Sequence, residues 1–129
     1  MEQPRATPLS DPAALLGDGR ALTDILAMAG PASAARILRQ IHTDLSETRR
    51  ALCPALAAID WTAIRAQTHI LIALAGTIGA MRLHALAIDL NTTAHAQDKG
   101  RTAALAAPLM ADLDALTALL AGRITGGGA

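Results

Sequence analysis

Four histidines, three serines and a single cysteine are the side chains of this chain best suited to nucleophilic or metal chemistry. His69 stands apart from the rest by its surroundings. It opens the run His69-Ile-Leu-Ile-Ala-Leu-Ala-Gly76-Thr-Ile-Gly79-Ala80-Met-Arg-Leu83. Stepping about 100° per residue around a helix puts Thr62, Arg65, Ala66, Ala73 and Gly76 within roughly 60° of His69. Ile64, Leu71, Leu74 and Ile78 point the other way, toward a core. An imidazole in a cleared patch of small residues is accessible to another protein, and an accessible imidazole can carry a phosphoryl group. Its ordinary pKa of about 6.5 leaves the free group mostly neutral and nucleophilic slightly above neutral pH.

The other reactive residues lack such settings. His42, His84 and His95 read as surface or partly buried residues. Ser10, Ser33 and Ser46 have no evident His/Asp arrangement, which leaves hydrolase chemistry unsupported. No Glu-x-x-His pair offers a di-iron site and no paired cysteines offer a zinc site, so no metal site is expected. Cys53, beside Pro54, reads as a buried inert thiol. Gly76 needs a reason, because glycine inside a helix costs about 1 kcal/mol relative to alanine. Close approach of a partner is one reason, and close packing against a neighbouring helix is another. Ile72 is a large apolar residue at the edge of the patch. It either joins Ala66, Ala73 and Gly76 in a docking surface or packs under the next helix. Gln67 projects to the expected core side.

Composition sets the frame for these residues. At 129 residues the chain is expected to form one domain with a modest core. Apolar residues make up 52% of it, Phe and Tyr are absent, and Trp61 is the one aromatic. A core of Leu, Ile and Ala suits closely packed helices better than strands. Lack of aromatic platforms and a formal net charge of +0 argue against nucleic acid as a partner. The lone cysteine demands no oxidising compartment. The N-terminus lacks the pattern of a secretion signal, and Arg or Asp interrupts every apolar run that approaches membrane-spanning length. The expectation is a cytoplasmic, monomeric protein without a membrane segment.

Apolar periodicity supplies the elements that must position His69. Residues 1–20 are rich in Pro, Gly and Asp and are expected to be irregular, apart from a short turn around Pro12–Leu16. A short helix is predicted from Ala21 to Ala29, stopped by Gly30-Pro31. A long helix over 32–57 carries the stripe Leu38, Ile41, Leu45, Leu52, Leu56 and Ile59, with Pro54 a source of a kink near its end. Asp60 is a suitable N-cap for a helix that starts at Trp61 and ends near Gly76 or Ile78. A fourth runs from Ala80 to His95, with Met81, Leu83, Leu86, Ala87 and Leu90 facing inward. After the polar turn 97–100, a last helix covers 102–121 with Leu105, Leu109, Leu113, Leu116 and Leu120 as its stripe. Pro108 is placed either in its first turn or at a kink, and Gly122 is expected to end it. No period-two alternation competes. The predicted fold is all-α: an antiparallel up-and-down four-helix bundle with a short additional N-terminal helix. It comprises an irregular segment (1–20), the bundle (21–122) and a flexible C-terminal tail (123–129).

The spacing around His69 resembles that of the histidine-containing phosphotransfer (HPt) family. That family shows His-x-Leu-Lys-Gly, then Gly-Ala ten residues after the histidine and Leu three further on. This chain has His69, Leu71, Gly79, Ala80 and Leu83 in that register. Upstream, Ala57-Ala-Ile-Asp60-Trp61 resembles the family's Ala-x-x-Asp-Trp joint, and Leu90-Asn91 stands where the family tends to have Leu-Glu. The resemblance covers roughly residues 35–95. Two positions depart from it: Ile72 replaces the family's lysine and Ala73 its glycine.

The resemblance implies a phosphoryl carrier rather than a self-sufficient catalyst. His69 would accept a phosphoryl group from a receiver-domain aspartate and pass it to another receiver domain. The partners would be response-regulator receiver domains and a hybrid sensor histidine kinase. No cofactor is expected on this chain, and Mg²⁺ would sit in the partner receiver domain. Thr62, Ala66, Ile72, Ala73 and Gly76 would form the docking surface. A phosphohistidine carries about two negative charges. With the lysine gone, Arg65 or Arg82 is the expected stabilising cation. The alternative is a phosphotransfer-deficient HPt-like adaptor that binds a receiver domain or another helical partner.

Overall fold

The computed structural model describes residues 12–126. Among them lie six helices and no strand: α1 (Pro12–Leu16), α2 (Arg20–Ala29), α3 (Pro31–Ala58), α4 (Trp61–Ile78), α5 (Met81–His95) and α6 (Lys99–Gly126). The all-α class follows from a core of aliphatic residues in helical register. Leu45 and Leu52 of α3, Ile64 and Leu71 of α4, Leu83 and Leu90 of α5, and Leu113 and Leu116 of α6 are buried together. In the chief contacts α4 packs on α3 and α5, and α6 packs on α5 and α3. Each of the four longer helices therefore touches two neighbours in a cycle.

Three connections use one device. Ile59, Gly79 and Gln97 each adopt the left-handed conformation just past a helix, with φ of 53°, 78° and 54°. In each, the next backbone N–H reaches back to a carbonyl five residues earlier: Asp60 to Ala55 at 2.9 Å, Ala80 to Ala75 at 2.8 Å, Asp98 to Thr93 at 2.9 Å. These bonds satisfy carbonyls that the helix end would leave bare. Two of the turns deliver an aspartate directly to the next helix start. Asp60 accepts from Ala63 N at 3.1 Å and Asp98 from Arg101 N at 3.1 Å, so both serve as N-caps. Gly79 is doubly constrained, because a Cβ there would also fall 2.9 Å from Ala21 Cβ of α2.

Several expectations need correction. The stretch 12–16 is helical, and Leu15 and Leu16 are buried in the core, so the compact domain begins before residue 21. Residues 1–11 of the expected irregular segment lie outside the described residues. At the other end, α6 continues through Gly122 to Gly126. Ile124 packs against the core and Thr125 Oγ1 donates to the carbonyls of Ala121 and Gly122, both at 3.2 Å, which holds the last turn. Of the expected flexible tail, 123–126 is therefore helical and 127–129 lies outside the described residues. Pro54 and Pro108 both sit inside helices, Pro108 well beyond the first turn. Each stands at an exposed position, and so do Arg50 and Ala104, whose carbonyls lose a donor; water can reach them. Met81 is 57% exposed rather than inward, because Ala80 takes the buried position at the start of α5. Cys53 is exposed, not buried.

The stretch 99–126 is, by length and composition, apolar enough to cross a membrane, with mean hydropathy 1.6 over its best window. Leu and Ala outweigh Asp112 and Asp114, so the acids do not interrupt it as expected. In the structure one side of this helix, including Leu109, Leu113, Leu116 and Leu120, is buried in the core.

Candidate functional site

His69 lies near the middle of α4, on the side turned away from the core, and its ring is exposed. It forms no hydrogen bond or ion pair with any described residue. Thr62, Ala66, Ala73 and Gly76 are exposed around it. The patch is bare for a simple reason. Apart from the half-buried Arg65 and Ile72, the residues one or two turns along the same line are small, while Ile64, Thr68, Leu71, Ala75 and Ile78 fill the opposite, buried line.

That buried line is rotated slightly from the sequence expectation. Thr68, not Gln67, is the polar residue inside, with 0% of its surface exposed. Its hydroxyl donates to Ile64 O at 2.8 Å and lies 3.1 Å from Arg65 O. Asn91 of α5 donates from Nδ2 to Thr68 Oγ1 at 2.8 Å and to Arg65 O at 3.3 Å. A buried hydroxyl tied to a half-buried amide in this way fixes rotation, because turning α4 would take the Asn91 amide away from both of its acceptors. Thr68 immediately precedes His69, so the same bond that pins α4 to α5 holds the imidazole outward. Sequence reasoning missed both members. The available signal was Asn91 itself, an amide directly after Leu90 on the inward stripe of α5.

Gly76 finds its reason in packing. A Cβ there would lie 3.2 Å from His84 Cδ2 and 3.3 Å from its Nε2, so the glycine lets the half-buried His84 ring of α5 close against α4. Ile72 resolves toward the second of its two readings: it is half-buried and packs against the core. Gln67 turns toward α3 and lines a groove with Asp44, Glu47, Ile70 and Leu74. One flank of the His69 face is thus acidic, and Ile70, 44% exposed, adds an apolar element to it.

The two candidate cations differ in kind. Arg65 is half-buried one turn before His69, and its guanidinium forms no ion pair with any described residue. Arg82 is committed elsewhere. Its Nε donates to both oxygens of Asp112 on α6, at 2.9 and 3.1 Å, and Nη2 lies 2.8 Å from Oδ1, outside hydrogen-bond geometry. The hydrogen bonds to Asp112 hold the Arg82 guanidinium still more firmly protonated than usual, against the cost of burial. Asp112 is almost wholly buried, so this is a structural pair of the α5–α6 seam. Among the described residues no three or more His, Cys, Asp or Glu side chains converge as metal ligands. His42 and His84 are half-buried and His95 is exposed.

No protein-family model, curated protein or solved structure matches this chain.

Proposed function

We propose that the protein is a histidine phosphotransfer protein of a two-component phosphorelay, with His69 as phosphoacceptor. The observation that carries this reading is the exposed, unpartnered His69 ring in a patch of small residues, on a helix pinned by the Thr68–Asn91 pair. Chemically, a neutral imidazole nitrogen attacks the phosphorus of a receiver domain's aspartyl phosphate. The N–P bond forms as the P–O bond to the aspartyl oxygen breaks. The carboxylate leaves with that electron pair, and the reverse step charges a second receiver domain. Such transfer depends on positioning and charge stabilisation more than on groups that accept protons. A small carrier is therefore sufficient, and the receiver domain supplies the Mg²⁺.

In this reading α3–α6 form an antiparallel four-helix bundle, consistent with their cyclic packing and short connections. The protein acts as a cytoplasmic monomer between a hybrid sensor histidine kinase and response regulators. Thr62, Ala66, Ala73 and Gly76 form the seat for the receiver, with Ile72 beneath its edge. Arg65 supplies the cation that the family's lysine supplies elsewhere. The test is incubation with a phosphorylated receiver domain, comparing wild type with His69→Gln. Acid-labile labelling confined to wild type is expected, and equal labelling of both overturns the assignment. A second reading, an adaptor that binds a receiver without accepting phosphate, draws on Ile72 standing in place of the lysine. Receiver binding without any labelling would select it.

A further inference from the structure

Away from every residue of the His69 face, α2, the first turns of α3 and the last turn of α6 line a half-open cavity of about 690 Å³. Its size falls within the range typical of small-molecule sites, about 300–1,000 Å³. The space exists because the facing positions are small. Ala34 and Ala35 line it from α3, and a Cβ at Gly122 of α6 would meet nothing within 4 Å. Leu26, Leu38 and Ile124 give it apolar walls.

The chemistry of the lining selects the ligand. Trp61, the one aromatic of the chain, is not among the lining residues, so a flat ring has no aromatic side chain to stack on. Apart from backbone, the polar groups are the guanidiniums of Arg39 and Arg123. A sugar, or the sugar and base of a nucleotide, would lose water contacts against the apolar walls without replacements. A saturated chain would not. No acidic residue lines the cavity, and neither arginine forms an ion pair with a described residue, whereas Arg49 and Arg82 pair with Asp114 and Asp112. Guanidinium groups match carboxylate geometry with paired hydrogen bonds. α3 starts here at Gly30 without a side-chain cap, and its positive end favours an anion. The opposing negative end of α6 carries Arg123 in its last turn, which offsets it.

We propose that this cavity binds a single-chain aliphatic carboxylate, its tail against Leu26, Leu38 and Ile124 and its head between Arg39 and Arg123. The experiment is calorimetric titration of the full-length protein with octanoate, decanoate and dodecanoate below their micelle concentrations. Dodecyltrimethylammonium and phosphatidylglycerol vesicles serve as controls. One saturable site is expected, tightening about fourfold per added methylene until the space is filled. Arg39→Gln/Arg123→Gln should weaken dodecanoate at least tenfold, and Ala35→Trp should remove the site while circular dichroism shows an intact fold. If Ala35→Trp does not fold, the double arginine variant decides alone, since Arg39 is a surface residue. Three results overturn the proposal: no saturable binding, equal binding of the cationic amphiphile, or affinity unchanged by the arginine substitutions. Vesicle binding without binding of the free carboxylates would also overturn it, by making the arginines a membrane-facing surface.

Discussion

α5 meets α4 along one side and α6 along the other, and the two seams handle polar groups in opposite ways. The α5–α6 seam closes its polar groups on each other. Arg82 holds Asp112, and the hydroxyls of Thr93 and Thr102 lie 2.9 Å apart in the interior. Among these side chains the one buried polar atom without a hydrogen-bond partner among the described residues is Arg82 Nη2, beside Asp112. The α4–α5 seam uses the buried Thr68 and the half-buried Asn91 to fix an orientation, and leaves His69 and the Arg65 guanidinium without a partner among the described residues. The difference teaches that an arginine's role is set by whether a carboxylate faces it across the seam. Its partner decides: Arg82 stabilises the fold, and Arg65 remains available.

Substitutions on the two sides can break or sharpen that contrast. The largest effect is expected from Arg82→Met, which leaves the buried Asp112 carboxylate uncompensated. We expect a loss of about 3 kcal/mol in urea denaturation, at the lower end for broken buried pairs because Arg82 itself is partly exposed. Labelling of the remaining folded protein should be unchanged; a selective loss of labelling would return Arg82 to the phosphate site. Next comes Thr68→Val, which removes the shorter of Asn91 Nδ2's two hydrogen bonds and leaves only the 3.3 Å bond to Arg65 O. A loss of roughly 1–2 kcal/mol is expected. It should shrink when measured in an Asn91→Leu background, since the two act as one unit. An undiminished loss in that background would show that the hydrogen bond carries no energy of its own.

Smaller still is Gly76→Ala. Helix propensity favours alanine by about 1 kcal/mol, and the added methyl presses at 3.2 Å on the half-buried His84 ring, which must give by a few tenths of an ångström. A net gain below about 1 kcal/mol in thermal or urea unfolding is expected, and a loss would mean that the ring is held in place. Arg65→Gln should leave unfolding unchanged, because no described side chain pairs with that guanidinium. The phosphohistidine should instead decay roughly two- to fivefold faster, the range for a single partly screened charge contact. An unchanged decay would remove Arg65 from the site.

Much of this was legible in the chain. The stripes of Leu and Ile located the four longer helices, Asp60 announced the start of α4, and Gly79 its end. The outward placement of His69 followed from its small neighbours. Other features were hidden for physical reasons. Rotation of α4 by a fraction of a turn, which exchanges Thr68 for Gln67 in the interior, depends on a hydrogen bond to Asn91, a residue far along the chain. The commitment of Arg82 depends on α6, whose Asp112 sits in a stripe that reads as uniformly apolar. Gly122 read as a helix stop because glycine weakens a helix, yet Ile124 docks on the core and carries the helix past it. Leu15 and Leu16 give no core signal in the sequence because a five-residue helix offers too few turns for periodicity to register.

The most direct measurement maps the phosphoryl group itself. The protein is charged from a phosphorylated receiver domain, digested at alkaline pH where phosphoramidates survive, and sequenced by mass spectrometry. We expect the phosphoryl group on His69 alone, and its discharge when a second receiver domain is added. A phosphoryl group on His42, His84 or His95, or on no histidine at all, would contradict the assignment.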